Sequence, residues 1–280
     1  MNKKFAVLGS PIDHSKSPAI HLAAYRVLGN DWEYGRAEVK KGGLRTFIES
    51  LQQEWNGFSV TMPLKEEAFR FANQVDEIAS ATKAVNTLEH RADGSWFGYN
   101  TDVFGIIQAV RQVQPTSPKR ALVIGSGSTA TSALVAISKL NSNCEVLVSA
   151  RNSKTRKVTI AFAKSLGLTA KRSWNLANSI AKAQLTISTV PANAMDEAAA
   201  KLEKLETWKP GGMLLDVAYS PWPSKLATVF SAKATPVASG LEMLIWQAVV
   251  QLRIFSFSNP AQELPNEVAV VEAMRIAASQ

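Results

Sequence analysis

Cysteine is almost absent from this chain. Cys144 is the only one in 280 residues, so no disulfide can form within the chain. Histidine is also scarce, and His14, His21 and His90 lack the spacing of a metal-ligand cluster. A disulfide-stapled fold is therefore excluded, we expect no bound metal, and the cysteine usage indicates a cytoplasmic setting.

Long apolar runs are missing as well. No stretch approaches the roughly 20 residues needed to cross a bilayer. Gly9 and Pro11 interrupt the apolar residues 5–8 too early for a signal peptide. We therefore predict no membrane association. Hydrophobic residues still make up 46% of the chain and charged residues only 19%, which supplies a core and argues against disorder.

Acidic residues are outnumbered. The chain has 31 Lys and Arg against 23 Asp and Glu, a formal net charge of +8. The basic residues are dispersed, and their densest cluster is Arg151, Lys154, Arg156 and Lys157. No nucleic-acid-binding motif accompanies them, so we expect no nucleic-acid partner. A dispersed positive field suits an enzyme with anionic substrate and cofactor, although solvated surface lysines explain the excess equally well.

Short strands and helices alternate along the chain. In the N-terminal half we predict strands over 4–9, 58–61, 84–89 and 95–99, a helix with Ser17 as N-cap and Pro18 at its first position, and a polar helix over 65–73. Residues 114–118 predict a linker. Beyond it we predict strands over 120–124, 145–149, 185–190 and 213–217, a helix over 129–140, and two helices, 240–252 and 265–279, each apolar on one face.

A glycine-rich turn follows the strand over 120–124. Residues 125–130, GSGSTA, fit the pattern G-x-G-x-x-A. Gly125 permits a tight turn, Gly127 lets the backbone approach a pyrophosphate, and Ala130 allows close helix–strand packing. The helix that follows directs its positive dipole end at the phosphates. Because a strand precedes the turn and a helix follows it, a dinucleotide site is favoured over an ordinary Gly/Ser loop.

The residue after the second strand of this unit indicates which dinucleotide binds. In NAD enzymes that strand usually ends in an acid that bonds the ribose 2′-hydroxyl. Here the strand over 145–149 runs into Ala150-Arg151-Asn152, with no acid. An arginine can bind a 2′-phosphate through its planar fork and stack on adenine. We predict NADP(H) rather than NAD, the alternative being an arginine that is merely part of a basic surface loop.

Polar residues in the N-terminal half of the chain are candidates for substrate binding. Ser15 and Ser17 precede a helix, where two hydroxyls and backbone N–H groups can hold a carboxylate. Helix capping by Ser17 is the simpler alternative, and both roles can coexist. Lys65 follows one short strand and Asp102 follows another. Alone, either charge would be assigned to the surface.

Six segments, in order over nearly the whole chain, resemble the shikimate dehydrogenase family. They are GSPIDHSKSP (9–18), VTMPLK (60–65), AVNTL (84–88), GYNTD (98–102), DVAYSP (216–221) and GLEMLIWQ (240–247). Six dispersed matches with consistent spacing are far more specific than any one of them.

The resemblance implies an α/β fold of two domains with the active site in the cleft between them. Residues 1–104 with 241–280 would form an α/β substrate domain, and 105–240 a Rossmann-type NADP-binding domain. The implied reaction is the reversible NADPH-dependent reduction of 3-dehydroshikimate to shikimate, a step of chorismate and aromatic amino acid biosynthesis. The small anionic substrate would be the main partner, and the enzyme would be a monomer or homodimer.

The resemblance also implies roles for individual residues. Lys65 and Asp102 would be the catalytic pair, and we predict that they lie within hydrogen-bond reach. The substrate would be bound by Ser15, Ser17, Thr61, Asn86, Tyr219 and Gln247. The cofactor would be bound by Gly125, Ser126, Gly127, Ser128, Thr129, Arg151, Val190, Val217 and Gly240. Oxidising a secondary alcohol requires removal of a proton as hydride leaves, and a partly desolvated lysine can act as that general base.

Four positions depart from the family's pattern. Ser59 stands where asparagine is usual, and we expect a water-mediated contact from its shorter side chain. Ala150 and Asn152 flank Arg151 in place of asparagine and threonine, and Ser128 replaces a common glycine. Two alternatives remain: an NAD-dependent quinate/shikimate dehydrogenase, disfavoured by the missing acid near Arg151, and a non-catalytic NADP-binding regulatory paralogue, disfavoured because the catalytic pair is retained.

Overall fold

The computed structural model describes residues 3–51, 55–114 and 117–279. Its strands are β1 (Lys4–Gly9), β2 (Glu33–Glu38), β3 (Gly57–Val60), β4 (Gln74–Val75), β5 (Thr87–His90), β6 (Trp96–Tyr99), β7 (Arg120–Ile124), β8 (Glu145–Ser149), β9 (Thr169–Arg172), β10 (Leu185–Ser188), β11 (Met213–Asp216) and β12 (Val237–Ser239). Its α-helices are α1 (Ser17–Leu28), α2 (Leu44–Glu49), α3 (Lys65–Phe71), α4 (Glu77–Thr82), α5 (Asp102–Val113), α6 (Ser128–Leu140), α7 (Ser153–Ser165), α8 (Leu176–Lys182), α9 (Asp196–Glu203), α10 (Lys225–Ala232), α11 (Gly240–Phe257) and α12 (Glu267–Ser279). A 3₁₀ turn, Ala192–Met195, precedes α9.

The chain forms two compact units. One comprises Met1–Asp102 with Leu244–Gln280, and the other comprises Val103–Met243. The linker predicted over 114–118 includes residues 115 and 116, which lie outside the described residues.

The first unit contains a mixed six-stranded sheet in the order β2-β1-β3-β5-β6-β4. β2, β1 and β3 run parallel, whereas β5 is antiparallel to both β3 and β6. The carboxyl ends of β1 and β3 therefore meet at one edge, and Ser10 N donates to Met62 O at 3.0 Å there. Gly9 is required at this edge because a Cβ would lie 2.4 Å from Thr61 Cγ2.

The second unit contains a six-stranded sheet in the order β12-β11-β10-β7-β8-β9, with every pair parallel. Counting from β7, this is the doubly wound order of a Rossmann-type domain, and its topological switch point lies between β7 and β10. β7 and β8 have the bounds predicted from the sequence. Loops after strands on either side of that switch point are where such a fold binds ligands.

Predicted details of two helices are wrong. Ser17 is the first residue of α1 and Pro18 is the second, and Lys16 occupies the N-cap position with no side-chain cap. Ser17 therefore does not cap the helix. The helix predicted over 240–252 extends to Phe257 and is not apolar on one face only, because every residue from 247 to 255 is buried. A helix enclosed on all sides has no exposed polar face.

Candidate active site

Lys65 and Asp102 form a largely buried ion pair. Nζ lies 2.6 Å from Oδ2, and the side chains are only 14% and 5% exposed. Lys65 begins α3, where a cation opposes the helix dipole, whereas Asp102 begins α5, where an acid is favoured. Helix stability therefore does not account for the lysine. The prediction of hydrogen-bond reach across 37 sequence positions is confirmed.

Asn86 orients the other oxygen of this carboxylate. Its Nδ2 donates to Asp102 Oδ1 at 2.8 Å and to Thr101 Oγ1 at 2.9 Å, and lies 3.3 Å from Gln247 Oε1. Its Oδ1 accepts from Thr101 N at 2.9 Å. Asp102 is thus held between Lys65 and Asn86, and two predicted substrate residues, Asn86 and Gln247, meet beside it. Thr101 was not predicted as a site residue, although it lies within the 98–102 motif.

A second set of buried hydrogen bonds also reaches Asn86. Gln251 Nε2 donates to Thr87 Oγ1 at 2.9 Å and to Asn86 O at 3.2 Å. Its Oε1 accepts from Ser59 Oγ at 2.8 Å, and Ser59 Oγ accepts from Tyr34 Oη at 2.5 Å. The Ser59 hydroxyl thus bonds directly to two side chains, whereas the sequence led us to expect a water-mediated contact.

The segment with Ser15 and Ser17 lies close to this set of hydrogen bonds, because His21 connects it to Tyr34. Ser17 N donates to Ser15 Oγ at 3.3 Å, and His21 Nδ1 lies 2.9 Å from Ser17 O. The His21 ring stacks on Tyr34 with centroids 4.0 Å apart. Burial lowers the pKa of His21 to about 4, so the ring is neutral near pH 7 and Nδ1 carries the proton donated to Ser17 O.

Thr61 and Tyr219 are placed by different elements. Thr61 follows β3, and its carbonyl accepts from Leu64 N at 2.9 Å, closing the turn that leads into Lys65. Tyr219 belongs to the second unit and follows β11. Burial raises the pKa of its phenol, which keeps the hydroxyl protonated and able to donate. The substrate-binding role of both residues stays a prediction.

The second unit contains a cavity of about 670 Å³ at the carboxyl edge of its sheet. Of the predicted cofactor residues, those that line it are Gly125, Ser126, Arg151 and Val190. Those that do not line it are Gly127, Ser128, Thr129, Val217 and Gly240. The first three of these begin α6 or immediately precede it, and the last two directly follow β11 and β12 at the same sheet edge.

The glycines of this turn fit a dinucleotide. Gly125 has a φ of +124°, and a Cβ there would lie 2.2 Å from Thr189 Oγ1. A Cβ on Gly127 would meet no atom within 4 Å, so the backbone faces open space just before α6. Free space beside a bare backbone at a helix amino end is what a pyrophosphate requires.

Arg151 is an exposed cation on the wall of this cavity. Across residues 3–51, 55–114 and 117–279, no hydrogen bond or ion pair engages its guanidinium. The loop around it is braced, because Arg156 Nη1 donates to Ala150 O at 2.6 Å and Asn152 caps α7. The guanidinium is therefore available for a phosphate.

Residues 3–51, 55–114 and 117–279 contain no group of three or more His, Cys, Asp or Glu side chains placed to hold a metal ion. No helix in the same ranges is long and apolar enough to span a membrane.

Two family models match the chain. The shikimate dehydrogenase substrate binding domain matches residues 7–88, and the alanine dehydrogenase/PNT C-terminal domain matches residues 99–221. A shikimate dehydrogenase (NADP(+)) from Prochlorococcus marinus (strain MIT 9215) is 30% identical over 270 residues, which cover 93% of each chain.

Solved structures resemble the whole chain. The shikimate dehydrogenase of Mycobacterium tuberculosis is 36% identical, with a TM-score of 0.84 and coverage of 99% of both chains. The shikimate 5-dehydrogenase of Thermus thermophilus, solved in complex with NADP(H) and shikimate, is 28% identical, with a TM-score of 0.80. That match covers 98% of this chain and 99% of the other.

Proposed function

Because the chain belongs to the shikimate dehydrogenase family, we propose that it catalyses the reversible NADPH-dependent reduction of 3-dehydroshikimate to shikimate. It is an oxidoreductase that acts on a CH–OH group in the route to chorismate and the aromatic amino acids. The observation that carries the proposal is the Lys65–Asp102 pair, 2.6 Å apart and largely withdrawn from solvent. A protein that only binds its ligands has no need of such a pair.

The Lys65–Asp102 pair transfers the proton to and from the oxygen of the reacting alcohol. When bound, NADP(H) supplies the hydride acceptor or donor. In the oxidising direction the neutral Lys65 amine takes the hydroxyl proton as hydride leaves carbon, and in the reducing direction the ammonium returns it. Asp102 holds Nζ in place and accepts a hydrogen bond, and Asn86 fixes the angle of that carboxylate.

The remaining substrate contacts come from polar residues around this pair. Ser15 and Ser17 hold the substrate carboxylate from the amino end of α1. Contacts to the carboxylate or ring hydroxyls come from Thr61, Asn86, Tyr219 and Gln247. The proximity of Asn86 and Gln247, 3.3 Å apart beside Asp102, supports this part of the proposal.

Each unit has its own role in the proposal. The first unit, with boundaries near 1–104 and 241–280, binds substrate, and the second unit binds NADP(H) through the nine residues predicted above. The 670 Å³ cavity, its glycine turn and Arg151, whose guanidinium has no partner among the described residues, support the second assignment. The buried Cys144 and the lack of possible disulfides suit the cytoplasm, where we place the enzyme as a monomer or homodimer.

A steady-state matrix of shikimate and quinate, each with NADP⁺ and NAD⁺, tests the function. We expect the highest kcat/KM for shikimate with NADP⁺, at least about tenfold above NAD⁺, the effect of one charge-assisted contact. Preference for quinate with NAD⁺ would support the quinate/shikimate alternative. Binding of NADP⁺ without turnover of either substrate would instead support the non-catalytic paralogue.

The double variant Ser15→Ala/Ser17→Ala tests substrate capture. We expect the KM for shikimate to rise about tenfold, since hydroxyl donors to a charged carboxylate are lost, while the KM for NADP⁺ stays unchanged. Ser95→Ala, which removes a hydroxyl from an exposed hairpin turn of the same unit, is the matched control. An unchanged KM for shikimate would reduce the two serines to a loop brace.

A further inference from the structure

The direction of every hydrogen bond between Tyr34 and Asn86 is determined by one backbone carbonyl. Asn86 O can only accept, so the Gln251 atom 3.2 Å from it is the Nε2 donor. Gln251 Oε1 then faces Ser59, whose hydroxyl must donate to it. That hydroxyl has a single proton, so Tyr34 must donate to Ser59. These hydrogen bonds therefore run in one direction through Tyr34, Ser59, Gln251 and Asn86.

The orientation of the Asn86 side chain is determined in the same way. Thr101 N can only donate, so the atom that faces it is Asn86 Oδ1, and Nδ2 faces the Asp102 carboxylate. Gln251 acts on both parts of Asn86. It bonds the main-chain oxygen directly, and it bonds Thr87 Oγ1, which donates to Asn86 Oδ1 at 2.9 Å.

The burial of Gln251 makes its amide expensive unless every polar atom is bonded. The side chain is 1% exposed, within the run from 247 to 255 where every residue is buried. An apolar residue of similar size would suit such a helix better. Its hydrogen-bond partners instead lie on the path to Asn86, and the Ser59 end of that path is 192 positions away in sequence.

We propose that Gln251 is a positioning residue for proton transfer, which holds Asn86 in the orientation that aims the Asp102 carboxylate at Lys65. The proposal rests on the proposed function of the same site. Gln251 bonds neither Lys65 nor Asp102 in the described chain, so it acts only through Asn86 and Thr87. Ser59 donates to the amide oxygen of Gln251 and is itself held by Tyr34, so the amide cannot flip.

Gln251→Met tests the proposal, because methionine keeps the length and volume of the side chain and removes both amide groups. We expect kcat for shikimate oxidation with NADP⁺ to fall about five- to twentyfold, because small misplacements of catalytic groups are costly. The KM for NADP⁺ should stay within about threefold, since no group that we assign to cofactor binding is touched, and the KM for shikimate should rise by less than kcat falls, because Asn86 is displaced but not removed. A kcat within twofold of the parent enzyme overturns the proposal.

The same substitution in an Asp102→Asn background separates positioning from mere structure. If Gln251 acts through Asp102, adding Gln251→Met to Asp102→Asn should lower kcat by less than about twofold further, because coupled residues are not additive. An equal loss in both backgrounds overturns the proposal. Tyr99→Phe is the matched control, because it removes a buried hydrogen bond to Glu89 in the same sheet and should lower Tm without lowering kcat.

A smaller change covers the case in which Gln251→Met does not fold. Ser59→Ala deletes the donor to Gln251 Oε1 together with the acceptor of the Tyr34 hydroxyl, and we expect a kcat loss of about two- to fivefold that disappears in the Asp102→Asn background. A loss that persists there overturns the proposal. The parent enzyme separates failure of the proposed function from failure of the Gln251 proposal. If the parent does not turn over shikimate, the proposed function is wrong. If the parent is active and the variants are equally active, only the role of Gln251 is wrong.

Discussion

Lys65→Met is expected to lower kcat for shikimate oxidation by about 10²- to 10⁴-fold, the range for losing a general acid–base group. Methionine retains much of the packing of the lysine stem and removes only the ionisable head. The KM for NADP⁺ should not change, because the predicted cofactor residues belong to the second unit. Steady-state kinetics with shikimate and both nicotinamide cofactors measure the effect.

The substitution also leaves Asp102 without its cationic partner. Breaking a buried pair by removing one member is typically destabilising by about 3–5 kcal/mol, although Asn86 still donates to Oδ1. A thermal melt must therefore accompany the kinetics. Lys40→Met, which removes an exposed lysine from the same unit, is the matched control and should leave both kcat and Tm near those of the parent.

Asp102→Asn examines the other half of the pair. We expect a lower kcat, because an uncharged amide is a weaker acceptor than the carboxylate and holds Lys65 Nζ less firmly in place. Combined with Lys65→Met, the loss should be smaller than the product of the single losses, since residues that act as one unit are sub-additive. If Lys65→Met kept a near-normal kcat, the proton would leave by another route, and the Tyr219 hydroxyl would be the first group to test.

The parts of the fold that the sequence predicted are those with a strong local signal. β7 and β8 are short apolar runs followed by a glycine turn and a basic loop, and their bounds were predicted without error. β2 was not predicted because its sequence, EYGRAE, is a polar edge strand with a single buried residue, Tyr34. Its strand conformation depends on pairing with β1, which local periodicity does not record.

The site shows the same division. The partnership of Lys65 and Asp102 was predicted from a family resemblance, because neither residue alone differs from surface charge. Gln251 was missed, although a second glutamine one helical turn after Gln247 in a strongly apolar segment was a visible signal. Its meaning required knowledge of Ser59, far away in sequence, and Ser59 itself was expected to contact water. Long-range partners of this kind follow from the tertiary packing of α11 against the first sheet.

Arg151→Ala is expected to raise the KM for NADP⁺ about 10- to 100-fold and to leave the KM for NAD⁺ nearly unchanged. Losing a charge-assisted, bidentate contact costs about 1.5–3 kcal/mol, and NAD⁺ has no 2′-phosphate to lose it. We expect a large effect on KM because the Arg151 guanidinium has no competing partner in the described chain, whereas the neighbouring Arg156 donates to Ala150 O.

Two variants separate recognition of the phosphate from general attraction. Arg172→Ala removes an exposed cation that stacks on Trp174 and does not line the cavity, so it lowers the positive field without touching the phosphate site. Arg151→Lys keeps the charge and loses the planar fork, and should give an intermediate KM for NADP⁺. An NADP⁺/NAD⁺ preference that Arg151→Ala leaves intact, or that Arg172→Ala lowers equally, would show that Arg151 is not the 2′-phosphate ligand. The preference would then have to arise from other basic residues of the same loop, with Lys154 nearest in sequence.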